Sequence, residues 1–152
     1  MRLVLVAVGK LRSSAVRALC EDYLARLQRY GPAECIEVKA AEGPREQAVA
    51  QEGSRLLAAL QPVDEVFVLD ERGTATASVE LSEKIQALEM RAVKRVVFLL
   101  GGAYGFSAEV RQGRKLLSLS KLTLPHELCR VLILEQLYRA RTIQHGEPYH
   151  HA

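Results

Sequence analysis

Three short apolar runs decide what this chain can fold into: residues 3–8 (LVLVAV), 65–70 (EVFVLD) and 95–100 (RVVFLL). Each reads as a strand, and the first, continuous and ending at a glycine, as one buried on both faces. Strands of that kind belong to parallel sheets, and parallel strands need crossovers, usually helices. The intervening segments supply them. Between the first run and Gly31-Pro32, Val16, Leu19, Tyr23, Leu24 and Leu27 recur at helical spacing behind serines that can cap the start. Pro44 opens a second helical stretch with Val49, Leu56, Leu57 and Leu60. Leu81, Ile85 and Leu88 mark a third.

Residues 34–39 (ECIEVK) do alternate, which suggests a strand with one wetter face, nearer an edge. The third strand, 65–70, is expected to be followed by a glycine-containing loop. Ser107 should cap a short helix with Glu109 in its first turn. Residues 118–125 (SLSKLTLP) form a fifth extended piece, and a last helix runs from about His126 to about Gln144. At 152 residues, without repeats or a linker, the whole chain (1–152) is expected to be one α/β domain. Its mostly parallel sheet would be flanked by helices.

The net charge of +3 permits an anionic partner without demanding one. Cys20, Cys35 and Cys129 form no CxxC pair and leave one over, as in a reducing compartment. The opening apolar run is too short for a signal-peptide core, and no run approaches the ~18 residues of a membrane span. A soluble, cytoplasmic protein without membrane contact is the expectation.

Ligands of open parallel sheets bind beyond the carboxyl ends of strands. Three such ends stand out here: VLDERG (68–73), LLGGAYGFS (99–107) and LSKLTLPH (119–126). The glycine loop lacks the lysine and spacing of a phosphate-cradling loop, and no GxGxxG occurs. Residues 119–125 are apolar for a loop: they are either simply a strand, or a loop whose main chain binds a ligand between apolar walls.

The chain ends in GEPYHHA, and all four histidines (His126, His145, His150, His151) fall within its last 27 residues. Arg130, Arg139, Arg141, Tyr138 and Tyr149 share that segment. A metal is not expected, because neither cysteine nor HExxH-type spacing accompanies the histidines. The tail is either a solvated end or a surface for RNA phosphate and a stacked base. In the preceding helix Leu128, Val131, Leu132, Ile133, Leu134 and Leu137 point around the whole circumference, so one side is expected to meet a second copy of the chain.

Taken together, LLGGAYGFS, LSKLTLPHELCRVLILEQLYRA and the terminal PYH resemble the ribosomal large-subunit pseudouridine methyltransferases of the SPOUT superfamily. LVAVGK at the start and LDERG in the middle extend the resemblance over the whole length. Two positions depart from the family pattern: Ala103 stands where many members have proline, and Thr74 where many carry lysine. The resemblance implies a C-terminal trefoil knot, a homodimer and S-adenosylmethionine as cofactor. It places the cofactor against Leu69, Gly101 and the stretch Leu119, Ser120, Lys121, Leu122, Thr123 and Leu124.

It also implies a substrate: a pseudouridine in the helix 69 loop of 23S rRNA, methylated at N3 on the assembled 70S ribosome. An imide proton must then leave before nitrogen attacks, and a neutral histidine can take it. His150 is the candidate base, Tyr149 positions or stacks on the nucleobase, Arg139 holds a phosphate or the developing anion, and Glu135 orients Arg139. The alternatives are a non-enzymatic RNA- or ribosome-binding factor and, further off, a nucleotide enzyme on an ordinary doubly-wound sheet.

Overall fold

The structure, a computed structural model, describes residues 1–151; Ala152, the last residue of the tail singled out above, lies outside them. Five strands, β1 (Arg2–Val8), β2 (Ala33–Val38), β3 (Glu65–Ala75), β4 (Arg95–Leu100) and β5 (Lys115–Ser118), form one sheet in the order β2-β1-β4-β3-β5. Every pairing is parallel. The helices are α1 (Ser14–Gln28), α2 (Arg45–Ala58), α3 (Ser78–Met90), α4 (Ala108–Arg111) and α5 (His126–Gln144).

The apolar runs behave as their composition demands. All of β4 is buried, and β1 is buried beyond its first residue. Side chains alternate between two cores. Leu3, Leu5 and Ala7 face a larger one that contains Leu27 of α1, Ile85 of α3 and Ile133, Leu134 and Leu137 of α5. Val4, Val6 and Val8 face a smaller one with Leu56 of α2 and Val110 of α4. Three helices therefore cover one face and two the other. The alternating strand, β2, lies at the edge. Ser13 caps α1 by accepting from the Val16 N–H, and Ser107 caps α4 in the same way at Val110.

Two expectations need correction. Residues 71–75 are not merely a loop: β3 continues to Ala75, and Leu69 and Thr74 both pair with Leu117. The four residues between them leave the ladder and return. Gly73 then presses on β5 so closely that a Cβ would stand 2.5 Å from the Leu116 carbonyl carbon and 2.6 Å from the Leu117 nitrogen. The ERGTA sequence hides this because its polar residues face away from any core. The fifth strand also lies earlier than expected, at Lys115–Ser118, and 119–125 is irregular. That settles the open choice for this stretch in favour of a loop.

The last helix covers its inner side with Ile133, Leu134 and Leu137, but Leu128 remains 46% and Leu132 39% exposed. Those two lie one turn apart on one face. Arg130 and Arg141, grouped above with a basic tail, point inward instead. Arg130 pairs with Glu37 at 2.5 Å and donates to the Gly9 carbonyl at 2.9 Å. Arg141 pairs with Glu89 at 2.8 Å. They tie α5 to the sheet edge and to α3, and neither is free for an outside anion. Helical spacing alone does not distinguish such arginines from solvated ones.

Gly73→Ala forces a methyl group into the main chain of β5. The expected cost is about 1–3 kcal/mol, or roughly 2–12 °C in Tm for a chain of this size. A melting curve indistinguishable from the parent would contradict the tight passage.

Candidate functional site

The carboxyl ends of β3 and β4 and the loop after β5 enclose a cleft of about 310 Å³, within the size class of small-molecule sites. Its three walls are built differently. Leu69 ends the regular part of β3. Gly101 leaves β4 into a tight turn in which the Gly105 N–H donates to the Gly102 carbonyl at 3.1 Å. Gly105 has φ +76°, and a Cβ on Gly101 would approach the Gly105 oxygen to 3.0 Å. The positive φ favours glycine at 105, and the close approach leaves little room for a side chain at 101. Buried Phe106 anchors the turn in the smaller core.

The third wall is the loop 119–124. The Ser118 hydroxyl donates to the Ser120 carbonyl at 2.9 Å, and the Ser120 hydroxyl accepts from the Leu122 N–H at 2.9 Å. The main-chain groups of Lys121 and Thr123 have no hydrogen-bond partner among the described residues. Leu119, Leu122 and Leu124 line the cleft beside them. Apolar walls with uncommitted peptide groups suit a flat heterocycle that needs edge hydrogen bonds.

A charged floor crosses the cleft. Asp70 accepts from the Arg111 guanidinium at 2.6 Å and from the Arg72 N–H at 2.9 Å. Burial alone would raise the Asp70 carboxyl, but the Arg72 N–H and the Arg111 guanidinium together hold it below its ordinary value. Beside it, Glu71 accepts from the Thr123 hydroxyl at 3.5 Å, linking the first wall to the third. Cys129, at the start of α5, also lines the cleft, and burial raises its thiol.

The tail forms a separate cluster on α5. Glu135 Oε1 accepts from Arg139 at 2.5 and 2.9 Å and from the Tyr149 hydroxyl at 3.0 Å. The Arg139 guanidinium lies 4.7 Å from the Tyr149 ring centroid, and Tyr138 meets that ring edge-on at 4.7 Å. Burial first, then bonds to Tyr23 and Glu135, raise the Tyr149 phenol. Arg139 also reaches His150 Nδ1 at 3.2 Å. An arginine can only donate, so Nδ1 accepts and a neutral ring carries its proton on Nε2. In this arrangement neither ring nitrogen offers a free lone pair.

Seven of the eight residues expected against the cofactor line the cleft: Leu69, Gly101, Leu119, Ser120, Leu122, Thr123 and Leu124. Lys121 does not; its side chain is exposed. His150, Tyr149 and Arg139 lie together but are not part of the cleft lining of the same chain. Arg139 is nearly three turns beyond Cys129, about 15 Å along the helix. Arg111 and Arg45 line the cleft without any mark in the sequence, and Tyr104 and His126, from two of the strand ends singled out above, join them there. Arg111 sits in an ordinary-looking four-residue helix, and only the sheet brings it to Asp70.

Because the folded state holds Asp70 below its ordinary value of about 3.9, its contribution to stability is present above that pH and disappears as pH falls through the lower, folded-state value. The Tm gap between the parent and Asp70→Asn is therefore expected to be widest near neutrality and to narrow below about pH 4. A gap that stays constant down to pH 2 would refute the ionised pair.

Comparisons with known proteins agree with this architecture. The family model described as "Predicted SPOUT methyltransferase" matches residues 1–150. Proteins named Ribosomal RNA large subunit methyltransferase H are similar over nearly their whole length. That of Gloeobacter violaceus is 44% identical over 153 residues, covering 99% of each chain. That of Geobacter sp. strain M21 is 42% identical, again covering 99% of each. Two solved structures share the fold at low identity. One is a probable methylase family protein of Haemophilus influenzae (TM-score 0.53, 13% identity), which covers 99% of this chain, while this chain covers 70% of it. The other is a putative methyltransferase of Legionella pneumophila in complex with S-adenosylmethionine (TM-score 0.51, 12% identity), covering 90% of this chain and itself covered over 65% of its length. A parallel sheet with a glycine turn at its cleft, matched by the family model from end to end, makes this chain a member of the SPOUT methyltransferase family.

Proposed function

We propose that this protein uses S-adenosylmethionine to methylate large-subunit ribosomal RNA, at N3 of a pseudouridine in the helix 69 loop of 23S rRNA on the assembled 70S ribosome. The observation that carries the reading is the cleft: three strand exits converge on apolar walls with unpartnered peptide groups. The names of the full-length relatives support ribosomal RNA as substrate. Work on ribosomes would place the protein in the cytoplasm, and no helix among the described residues is long and apolar enough to cross a membrane.

The cleft fits the cofactor. Leu69, Leu119, Leu122 and Leu124 would flank its adenine, and the free groups of the 119–124 loop and of the glycine turn would meet the adenine edge. When bound, the cofactor supplies a sulfonium-activated methyl group, so the protein's main task is alignment. A trefoil knot in the C-terminal half belongs to this reading, carried by the family resemblance.

The protein acts as a homodimer. Leu128 and Leu132 form an apolar stripe on α5, and Leu122 in the cleft loop is 74% exposed. A second copy covering that stripe would bring its tail to the cleft that its own chain cannot reach. His150 then releases Arg139, frees a ring nitrogen and takes the N3 proton. Tyr149 packs against the base. Arg139, still steered by Glu135, faces the phosphate or the developing anion.

The deciding assay transfers a labelled methyl group from S-adenosylmethionine to 70S ribosomes lacking the modification and then maps the label. Label at a pseudouridine of the helix 69 loop is expected. Cofactor binding without label would reject the substrate, and absence of cofactor binding would leave a non-enzymatic RNA binder.

Deleting residues 148–152 is expected to lower kcat by at least ~100-fold, the low end for loss of a proton-transferring group. Mixing that deletion with a full-tailed chain whose own cleft is blocked by Gly101→Val should restore activity. Failure of such mixtures, with mixed dimers demonstrated, would show that each tail serves its own chain.

A further inference from the structure

Tyr104 occupies an unusual position. It projects from the tight turn between Gly102 and Gly105, lines the mouth of the cleft and remains 53% exposed. The turn beneath it is rigid, closed by the Gly105-to-Gly102 hydrogen bond and anchored by Phe106. The guanidinium of Arg45, at the start of α2, lies 5.3 Å from the ring centroid and covers one side of it. Such a pair leaves the remaining ring surface available for stacking. Arg45 has no carboxylate partner among the described residues, and neither does Arg72, which lines the same cleft. Arg111 does not count here, since Asp70 engages it.

An aromatic ring held out on a preorganised turn, backed by one arginine and sharing its cleft with the unpaired Arg72, matches single-stranded nucleic acid. The ring offers a face to a base, and the cations meet phosphates. We propose that Tyr104, backed by Arg45, is the stacking platform for a base of the substrate RNA flanking the nucleotide that reacts, with Arg45 and Arg72 holding the adjacent phosphates. This rests on the function proposed above and adds a substrate-binding pair on a wall distinct from the tail.

The test measures binding of unmodified 70S ribosomes by co-sedimentation, KM and kcat for methyl transfer, and S-adenosylmethionine affinity by calorimetry. Tyr104→Ala is expected to weaken ribosome binding and raise KM about tenfold, with kcat and cofactor affinity unchanged. Tyr104→Phe, which keeps the ring, should stay within about twofold of the parent, since stacking uses the π-face and not the hydroxyl. Arg45→Ala should weaken binding and flatten its salt dependence, as expected when a phosphate contact is lost.

Unchanged ribosome binding in Tyr104→Ala would overturn the platform and leave the function standing. Lost cofactor affinity in that variant would overturn it too, placing the ring in the cofactor wall. A parent protein that binds ribosomes but transfers no methyl group would overturn the function, while the variant's binding still decides the platform. A parent that does not bind ribosomes would overturn both.

Discussion

The passage of β3 across β5 at Gly73 is the contact on which the rest of the cleft depends. Two stretches of main chain approach so closely that no side chain fits between them. That approach lets β3 leave its ladder after Leu69 and rejoin it at Thr74 against the same residue, Leu117. The excursion turns Asp70 inward to Arg111 and sets Glu71 and Arg72 at the cleft. It also fixes where β5 ends, and so where the loop 119–124 begins. A larger residue at 73 would separate the strands and open the floor and the third wall together.

α5 divides its length between two tasks. Its first turn borders the cleft through His126 and Cys129, and its later turns carry the Glu135–Arg139–Tyr149 cluster. Between them, Arg130 fixes the helix to β2 through Glu37 and to the end of β1 through the Gly9 carbonyl. Further along, Arg141 fixes it to α3 through Glu89. These inward arginines are partnered, as buried charges must be. They hold the helix in one register.

Much of the fold was legible because its signals are local. The run 96–100 is apolar without interruption, and the structure buries all of it at the centre of the sheet. The alternating run at 34–39 lies at the edge for the same reason. Ser13 and Ser107 cap the helices they precede. What escaped depends on distant residues meeting. Gly73 reads as a loop glycine until β5 lies under it. Arg130 and Arg141 read as surface cations until Glu37 and Glu89 arrive from other elements. Seven residues that line the cleft were picked out from motif resemblance and strand-end logic, yet Arg111 and Arg45 carried no local mark. The position of the tail relative to the cleft could not be read from either half alone, because it is a distance between two ends of one helix.

The walls of the cleft have a consequence for inhibition. Much of what a ligand meets there is peptide backbone, shaped by glycines at 101 and 105 and by the crossing at 73. Backbone groups cannot be exchanged by a codon change, and the glycines that place them tolerate few replacements. A compound that takes its hydrogen bonds from those peptide groups would therefore meet few single substitutions able to exclude it while preserving the cleft. One that leaned on the Tyr104 side chain would meet many.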